Sequence, residues 1–351
     1  MKFAPSQLGP RLLRVTSVGV LILLLLARST IARADAVSEL AGFSIFDKVD
    51  LAQLAKSDVK AAHGPPMGNP RFLSVQSCYV APGSPAQQIE ALRRWDPTRH
   101  RELKVLLHSD LPANPTPANF SKLQNAPDNA PVRSFVNVTQ KLSPELQISK
   151  DEAKKFSAAG GGGGAMPAAV VKFWSDVLAA RTHSFSSGGT AAQPPYDHGG
   201  QAIRVTDEVN GLLRQQEKIR RQFSGFLGST GIGRGAGSLS PELYWELLDV
   251  DDQGVVSLGA YYNRGGSGGS YQAADVLYYA SGGYYVSLTL YQMWPVNAEG
   301  KASTLIWRGD MISAASLASL HGVERLGSES AMMKEISKAV TLFRRDTSGA
   351  R

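Results

Sequence analysis

The clearest pattern in this 351-residue chain is a strict alternation of apolar and other side chains near its C-terminus. Over residues 284–294, Val286, Leu288 and Leu290 alternate with serine, threonine and tyrosine. A period of two residues is typical of a β-strand with a buried face. The same pattern, interrupted by turns that contain Gly or Asn, predicts further strands over residues 255–262, 276–280 and 303–308. We therefore predict an antiparallel meander with one buried face.

Helical spacing dominates in other parts of the chain. After the meander, apolar residues recur at intervals of three and four positions, at Met332, Ile336, Val340 and Phe343. This spacing predicts a closing amphipathic helix. A second apolar stripe, over residues 209–226, predicts the longest internal helix, with Thr206 as its N-cap.

A strand, a turn and a helix are well marked in the first third of the chain. Residues 72–80 alternate as a strand does, and Ser84, Pro85 and Gln87 follow with the arrangement of a capping box and a first-turn proline. The segment Leu-Ser-Pro-Glu-Leu occurs twice, at residues 142–146 and 239–243. Because Ser-Pro-Glu often begins a helix, we predict a helix start at each of them.

These patterns predict an α+β protein with a helix-rich N-terminal part and a C-terminal antiparallel β-meander that is closed by an amphipathic helix. We expect a mixed strand and helix region over residues 37–156 and a flexible Gly-rich linker or loop over 157–167. The linker contains five consecutive glycines, each of which loses much backbone entropy on ordering. Residues 168–351 form either a second domain or one composite domain with residues 37–156.

Residues 1–36 have the parts of a secretory signal peptide, namely basic residues, an apolar run and a cleavage site with small side chains. The apolar run covers residues 15–27 and is shorter than the roughly 20 residues that span a bilayer. Two overlapping Ala-x-Ala sequences predict cleavage after Ala34 or Ala36. We expect an exported protein, periplasmic or extracellular, with no integral membrane span after cleavage.

Removal of the signal peptide changes the charge of the chain. The whole sequence has 37 Lys and Arg and 30 Asp and Glu residues, a net charge of +7. Residues 1–36 contain five of these basic residues and one acidic residue, so the chain from Val37 has 32 and 29, a net charge of +3. Because nucleic-acid binding requires a strongly basic surface, we expect no nucleic-acid partner.

Cys78 is the only cysteine of the chain, so an internal disulfide bond is impossible. A mature chain of about 315 residues can bury a large apolar core without such a bond. We expect Cys78 to be a small buried hydrophobic residue and not a reactive thiol.

Motifs for catalysis and metal binding are incomplete in this sequence. Residues 265–269 match G-x-S-x-G around Ser267, but their surroundings are not those of the strained strand-to-helix turn that the motif needs. Residues 249–254 resemble the start of a calcium loop, yet its twelfth position is Ala260, which has no ligand oxygen; a hairpin turn at 252–254 is the preferred interpretation. The histidines lack metal-ligand spacing. We therefore expect no metal and no cofactor, and we assign no catalytic residue.

Basic side chains form the first group of candidate ligand-binding residues. They cluster around residues 95–98, at Arg94, Arg99 and Arg101. Arginine side chains bind carboxylates and phosphates well, so an anion site is one interpretation. The alternative is a solvated helix end, where basic groups interact favourably with the helix dipole.

Aromatic side chains of the meander form the second group, at Tyr285, Tyr291 and Trp294. Aromatic rings provide a large amphipathic contact area, which suits a groove for a sugar, a lipid or a partner protein. Ordinary packing of the sheet is the alternative, because tyrosine is common in strands.

The order of strand, Ser-Pro helix, intervening helices, meander and closing helix resembles that of START-type helix-grip domains. The segments that carry this resemblance cover about half of the chain, over residues 73–80, 84–95, 284–294, 303–308 and 328–345. The resemblance implies a curved sheet that grips the C-terminal helix over an apolar cavity. It also implies binding of a hydrophobic small molecule or a lipid, and it transfers no functional residue.

We predict from these features an exported, non-catalytic binding protein with an apolar pocket between the meander and the helix over residues 332–343. Its expected partner is a hydrophobic small molecule or lipid. Two alternatives stay open, namely an exported hydrolase with an active site that the sequence does not reveal and a surface protein that binds an envelope protein through its tyrosine face.

Overall fold

The computed structural model describes residues 36–56, 59–156 and 166–347 of the chain. The predicted signal peptide, apart from Ala36, lies outside the described residues, and so do residues 157–165 of the predicted linker. The described chain begins with a helix over residues 36–43, in which Leu40 and Phe43 are buried in the core.

The strands of the described chain form one eight-stranded antiparallel sheet. They are β1 (Lys60–His63), β2 (Phe72–Pro82), β3 (Val105–Leu111), β4 (Glu242–Val250), β5 (Gln253–Gly265), β6 (Tyr271–Ala280), β7 (Val286–Ala298) and β8 (Lys301–Ser313). Their order in the sheet is β1-β2-β8-β7-β6-β5-β4-β3. The predicted meander is confirmed, because β4 to β8 pair consecutively.

Ten helices accompany this sheet within the described residues. They are α1 (36–43), α2 (Leu51–Ala55), α3 (Pro85–Arg94), α4 (Ala130–Gln140), α5 (Lys150–Ala153), α6 (Ala168–Gly188), α7 (Val205–Gln215), α8 (Glu217–Gln222), α9 (Ser224–Thr230) and α10 (Gly322–Thr347). Short 3-10 helices occur at Pro97–Arg99, Arg101–Leu103, Pro117–Asn125, Gly189–Ala192, Ser267–Gly269 and Ser316–Ser319. The α+β class is thereby confirmed. No helix in the described part of the chain is long and apolar enough to cross a lipid bilayer.

The sheet lies between two layers of helices. On one face, α3 and α10 pack against the apolar side chains of β2, β7 and β8. On the other face, α1, α4 and α6 to α9 cover a larger core that contains Trp174, Trp245 and Trp307. The predicted single buried face of the meander is therefore wrong. Leu288 and Leu290 face the larger core, and Tyr291 is buried on the opposite side beneath α3 and α10.

Complete capping boxes lie at the start of two helices, and the first of them was predicted from the sequence. The Ser84 hydroxyl accepts a hydrogen bond from the backbone N–H of Gln87 at the start of α3, and the Gln87 side chain completes the capping box. Ser149 and Glu152 form a second complete box at the start of α5. Such reciprocal bonds satisfy backbone donors that a helix leaves unpaired in its first turn.

Three helix predictions are wrong. The stripe over residues 209–226 is split among α7, α8 and α9, because the backbone leaves helical geometry at Gln216 and again at Phe223. The Gln216 side chain is buried and donates to the Ser74 hydroxyl of β2 at 3.1 Å. Neither Leu-Ser-Pro-Glu-Leu segment begins a helix: the first forms turns, and the second leads into β4, whose alternate residues pack in the large core.

Cys78 is buried in β2, in agreement with its predicted hydrophobic role. Desolvation raises the pKa of its thiol to about 12. At pH 8 the thiolate fraction is then about a thousandfold smaller than that of a free cysteine.

Because of this small thiolate fraction, we expect an aromatic disulfide reagent to label the folded protein about a thousandfold more slowly than it labels free cysteine. The same reagent should label one thiol per chain in concentrated denaturant. Rapid stoichiometric labelling of the folded chain would contradict the buried position of Cys78.

Candidate ligand-binding site

A cavity of about 340 Å³ lies between the sheet and helices α3 and α10. Leu92 of α3 and Val340 and Phe343 of α10 supply apolar walls. Strands of the sheet supply the opposite wall, which we call the floor, through Tyr79, Tyr244, Tyr261, Asp275, Thr289, Tyr291, Arg308 and Asp310. A cavity therefore lies where the sequence predicted a pocket, between the meander and the closing helix. Its floor, however, carries charged groups and is not apolar.

Strand register brings four polar residues of the floor into one row. Asp310 of β8 is directly opposite Thr289 of β7, which is opposite Asp275 of β6, which is opposite Tyr261 of β5. Directly opposed residues of an antiparallel sheet point to the same face and lie close enough to interact. The Thr289 hydroxyl donates to Asp310 Oδ1 at 2.9 Å.

Arg308 and Asp310 form an ion pair on the floor of the cavity. They are two residues apart on β8, so both point to the same face. Arg308 Nε donates to Asp310 Oδ2 at 2.8 Å and Nη2 donates to Oδ1 at 2.7 Å, which is the fork geometry of a strong pair. Burial lowers the pKa of Arg308, but attraction to Asp310 outweighs it and raises that pKa, so the guanidinium stays charged. The guanidinium also lies 5.6 Å from the ring centroid of Tyr291.

Asp275 has a different environment from the paired Asp310. The Tyr244 hydroxyl donates to Asp275 Oδ1 at 2.7 Å. None of the ion pairs formed by the described residues around the cavity includes Asp275. Desolvation raises the pKa of its carboxyl group to about 6, although the Tyr244 hydrogen bond and the charge of Arg308 act in the opposite direction. The side chain is half-buried and lines the cavity.

Charged side chains at the border of the cavity are paired with one another. His108 Nδ1 of β3 lies 3.0 Å from Glu246 Oε1 of β4. Burial lowers the pKa of His108, but the hydrogen bond and the charge of Glu246 raise it by more. The pKa of His108 is therefore above its ordinary value. Arg93 Nε of α3 donates to Glu242 Oε2 at 2.8 Å.

The six predicted ligand-binding residues do not meet in one place. Tyr291 lines the cavity, and the basic group lies outside it at the end of α3. Arg94 is exposed and pairs with Glu90 at 2.5 Å, and Arg99 is exposed 3.8 Å from Asp96. Arg101 is also exposed, at the start of a 3-10 helix.

The other two predicted aromatic residues lie away from the cavity. Tyr285 is half-buried, 5.7 Å from the Arg71 guanidinium. Trp294 is buried in the large core, where its indole N–H donates to a Glu39 carboxylate oxygen at 2.8 Å. Both side chains therefore lie on the face of the sheet that α1 and α7 cover.

The polar floor was not predicted from the sequence, although the sequence contains a signal for it. Asp275 stands between alanines and a valine within β6, and Arg308 and Asp310 stand within an apolar stretch of β8. Charged residues are rarely buried unless they are paired or have a function. Charged residues that interrupt apolar strands and point to the same face of the sheet therefore indicate a candidate site.

The incomplete motifs have ordinary structural roles. Ser267 is exposed in a 3-10 turn between β5 and β6. Asp251 and Asp252 have positive φ angles of 50° and 62°, as in the two-residue turns that connect the strands of a hairpin. The predicted hairpin turn is therefore confirmed, but it begins at Asp251, one residue before its predicted start. Among the described residues, no three His, Cys, Asp or Glu side chains form a group that could hold a metal ion.

A second depression, of about 430 Å³, lies along α5 and α6. Its charged residues form pairs on the surface, such as Lys172 with Asp176 at 2.7 Å and Lys154 with Asp151 at 2.8 Å. Water screens exposed charges of this kind, so they attract a ligand only weakly. The cavity beneath α3 and α10 is the stronger candidate, because its polar groups are partly desolvated and converge on one space.

Comparisons of this chain with protein-family models, with curated proteins and with solved structures find no match. The order of elements that suggested the helix-grip resemblance is present, from β2 and α3 to the meander and α10.

Proposed function

We propose that this protein is a non-catalytic binding protein that holds one small organic molecule between the sheet and helices α3 and α10. The observation that supports this proposal is the cavity of about 340 Å³, which combines apolar helix side chains with a largely buried polar floor. Small-molecule sites typically have volumes from about 300 Å³ upward and combine apolar walls with a few oriented polar groups.

The dimensions of the cavity favour a small amphiphilic ligand. Its volume is near the lower end of the range for such sites, which favours one compact molecule over a lipid with two acyl chains. Apolar atoms of the ligand contact Leu92, Val340 and Phe343, and its polar atoms face the floor. This arrangement narrows the expected hydrophobic ligand to one that also carries a polar group.

Export through the predicted signal peptide is part of this proposal. It is supported by the composition of residues 1–36, and the function would then be to bind a ligand in the periplasm or outside the cell. Mass measurement of the protein recovered from a secreting host tests it. A mass that corresponds to a chain beginning at Asp35 or Val37 is expected, and a full-length mass would contradict export by cleavage.

The surface-interaction alternative receives less support. Tyr79, Tyr261 and Tyr291 are nearly fully buried beneath α3 and α10, so these three tyrosines of the described chain offer no open face to a protein partner. The hydrolase alternative is favoured by one observation, the pKa of about 6 of Asp275, which suits general acid–base catalysis. A screen with chromogenic esters, phosphates and glycosides separates this alternative from binding alone.

Filling the cavity from α10 tests the binding proposal directly. Ala339 is half-buried and lines the cavity, and Ala331 is exposed on the same helix. We expect Ala339→Trp to lower the affinity for small amphiphilic molecules by about tenfold or more, because the indole occupies the space of the ligand. Thermal-shift measurements with a library of such molecules check this result.

The matched control is Ala331→Trp, which adds the same side chain outside the cavity. Ligands found with the unchanged protein should still stabilise this control variant. The proposal is overturned if Ala339→Trp binds them equally well, or if neither native mass spectrometry nor the library reveals any ligand.

A further inference from the structure

We infer that the cavity binds an organic cation, with the ammonium group of the ligand against Asp275 and its apolar part against α3 and α10. This inference rests on the proposed binding function and specifies the chemical class of the ligand. Three features of the cavity support it, namely the balance of charge, the aromatic rings that line the cavity together with Asp275, and one hydroxyl group that has no hydrogen-bond partner among the described residues.

The cations that line the cavity already have carboxylate partners. Arg308 is engaged by Asp310 through two nitrogens, at 2.8 and 2.7 Å. Arg93 donates to Glu242 at 2.8 Å. A ligand anion would have to compete with these carboxylates for the two arginines. A ligand cation, in contrast, meets a carboxylate that forms no ion pair with the described residues.

Asp275 is that carboxylate. Its hydrogen bond from Tyr244 leaves the second oxygen, Oδ2, without a hydrogen bond from any described residue. A partly desolvated carboxylate is costly unless a positive charge accompanies it, and an ammonium group supplies both the charge and the N–H donors. Desolvation raises the pKa of Asp275, and the charges of Arg308 and His108 offset this increase only in part.

The ammonium group enters a cavity that is lined by four tyrosine rings. Tyr79, Tyr244, Tyr261 and Tyr291 all line the cavity together with Asp275. The faces of aromatic rings attract cations within about 6 Å of the ring centroid. Aromatic rings beside a carboxylate therefore favour an organic cation over a neutral molecule of the same shape.

The hydroxyl group of Tyr261 provides an independent indication. Tyr261 is 9% exposed, lines the cavity and is the direct cross-strand neighbour of Asp275. Its hydroxyl is buried and has no hydrogen-bond partner among the described residues. Because buried polar groups are normally hydrogen-bonded, an N–H donor from a ligand in the cavity accounts for this unpaired oxygen.

The test compares three probes of the same shape that differ in charge: 2-phenylethylamine, 2-phenylethanol and phenylacetate. Titration calorimetry is performed on the whole mature chain. We expect the amine to bind at least about tenfold more tightly than the alcohol, and the carboxylate to bind most weakly. Asp275→Asn should remove the preference for the amine and leave the affinity for the alcohol nearly unchanged.

Two further variants separate ligand binding from folding. Asp176→Asn makes the same chemical change in α6, away from the cavity, and should retain the preference for the amine. Tyr261→Phe removes a hydroxyl that has no partner within the described protein, so it should weaken amine binding severalfold with little loss of stability. Thermal midpoints measured without ligand confirm that each variant is folded.

The outcomes distinguish this inference from the proposed function. Equal binding of all three probes, or preference for phenylacetate, overturns the organic-cation inference but leaves the binding function in place. Retention of the amine preference by Asp275→Asn overturns the role of Asp275. Failure of all three probes to bind at millimolar concentration overturns the cation inference, and the library measurements with Ala339→Trp then decide the binding function separately.

Discussion

Arg181→Met is expected to lower the free energy of unfolding by about 3–5 kcal/mol. Arg181 of α6 is completely buried, and its Nη2 donates to Glu152 Oε2 of α5 at 2.6 Å. Its guanidinium lies 4.2 Å from the ring centroid of Tyr279. Methionine preserves much of the apolar volume but leaves the carboxylate of Glu152 buried without its counter-charge, and an unpaired buried charge is strongly destabilising.

Denaturant unfolding of the single and double variants measures this effect. Because Glu152→Gln removes the stranded charge, we expect the double variant Arg181→Met/Glu152→Gln to recover part of the lost stability. Lys172→Met is the matched control, since Lys172 forms an exposed pair with Asp176 at 2.7 Å and such pairs contribute about 0–1 kcal/mol. A loss below about 1 kcal/mol for Arg181→Met would contradict the importance of the buried pair.

Asp275→Asn is expected to raise the free energy of unfolding of the unliganded protein by about 2 kcal/mol more at neutral pH than at pH 4. The pKa of Asp275 is about 6 in the folded chain, above its ordinary value of 3.8. Well below its ordinary pKa of 3.8, the carboxyl group is protonated in both the folded and the unfolded state. As the pH rises to about 6, the unfolded state ionises first, so the unchanged protein loses stability that the Asn variant retains.

The size of this effect follows from the pKa shift. A full shift to about 6 corresponds to about 3 kcal/mol, and the solvent-accessible part of Asp275 in the cavity reduces the expected value to about 2 kcal/mol. The groups that influence Asp275 on the sheet are Tyr244, Glu246, His108 and Arg308. The residues of α10 that line the cavity are Ala339, Val340 and Phe343, none of which titrates.

Unfolding curves at several pH values between 4 and 8 test this prediction, with Asp151→Asn as a control of opposite sign. Asp151 is exposed, and its hydrogen bond with Lys154 lowers its pKa, so that variant should be relatively less stable at neutral pH. A difference between Asp275→Asn and the unchanged protein that does not vary with pH would contradict the desolvation of this carboxyl group. A stabilising mutation that also removes ligand binding is typical of a residue kept for function.

The outcome at β4 explains a wrong prediction from the sequence. Ser240-Pro241-Glu242 has the composition of a helix start, but Leu243, Trp245 and Leu247 alternate toward the large core and pair with β5. Packing of alternate side chains against the core outweighed the local capping signal. Pairing between strands is a long-range interaction, so a local composition rule does not reveal it.

The candidate site also depended on long-range pairing. Tyr79 of β2 and Asp275 of β6 are far apart in the sequence and reach the same cavity only because β8 and β7 lie between their strands in the sheet. The alternation along β7 predicted that Tyr291 shares a face with Thr289, but it gave no information on which side chains of other strands would join them. The charged floor therefore differs from the apolar pocket that was expected.

The sequence by itself determined the α+β class, the meander, the capping box at Ser84 and the amphipathic character of α10. These features depend on periodicity and on hydrogen bonds between residues three or four positions apart, which are visible in a short segment. Only the tertiary structure decided that both faces of the sheet are covered, and that Asp275, which forms no ion pair with the described residues, lines a cavity beneath α10 together with four tyrosines. Those properties arise from strand register and helix packing, which bring together side chains that no local pattern connects.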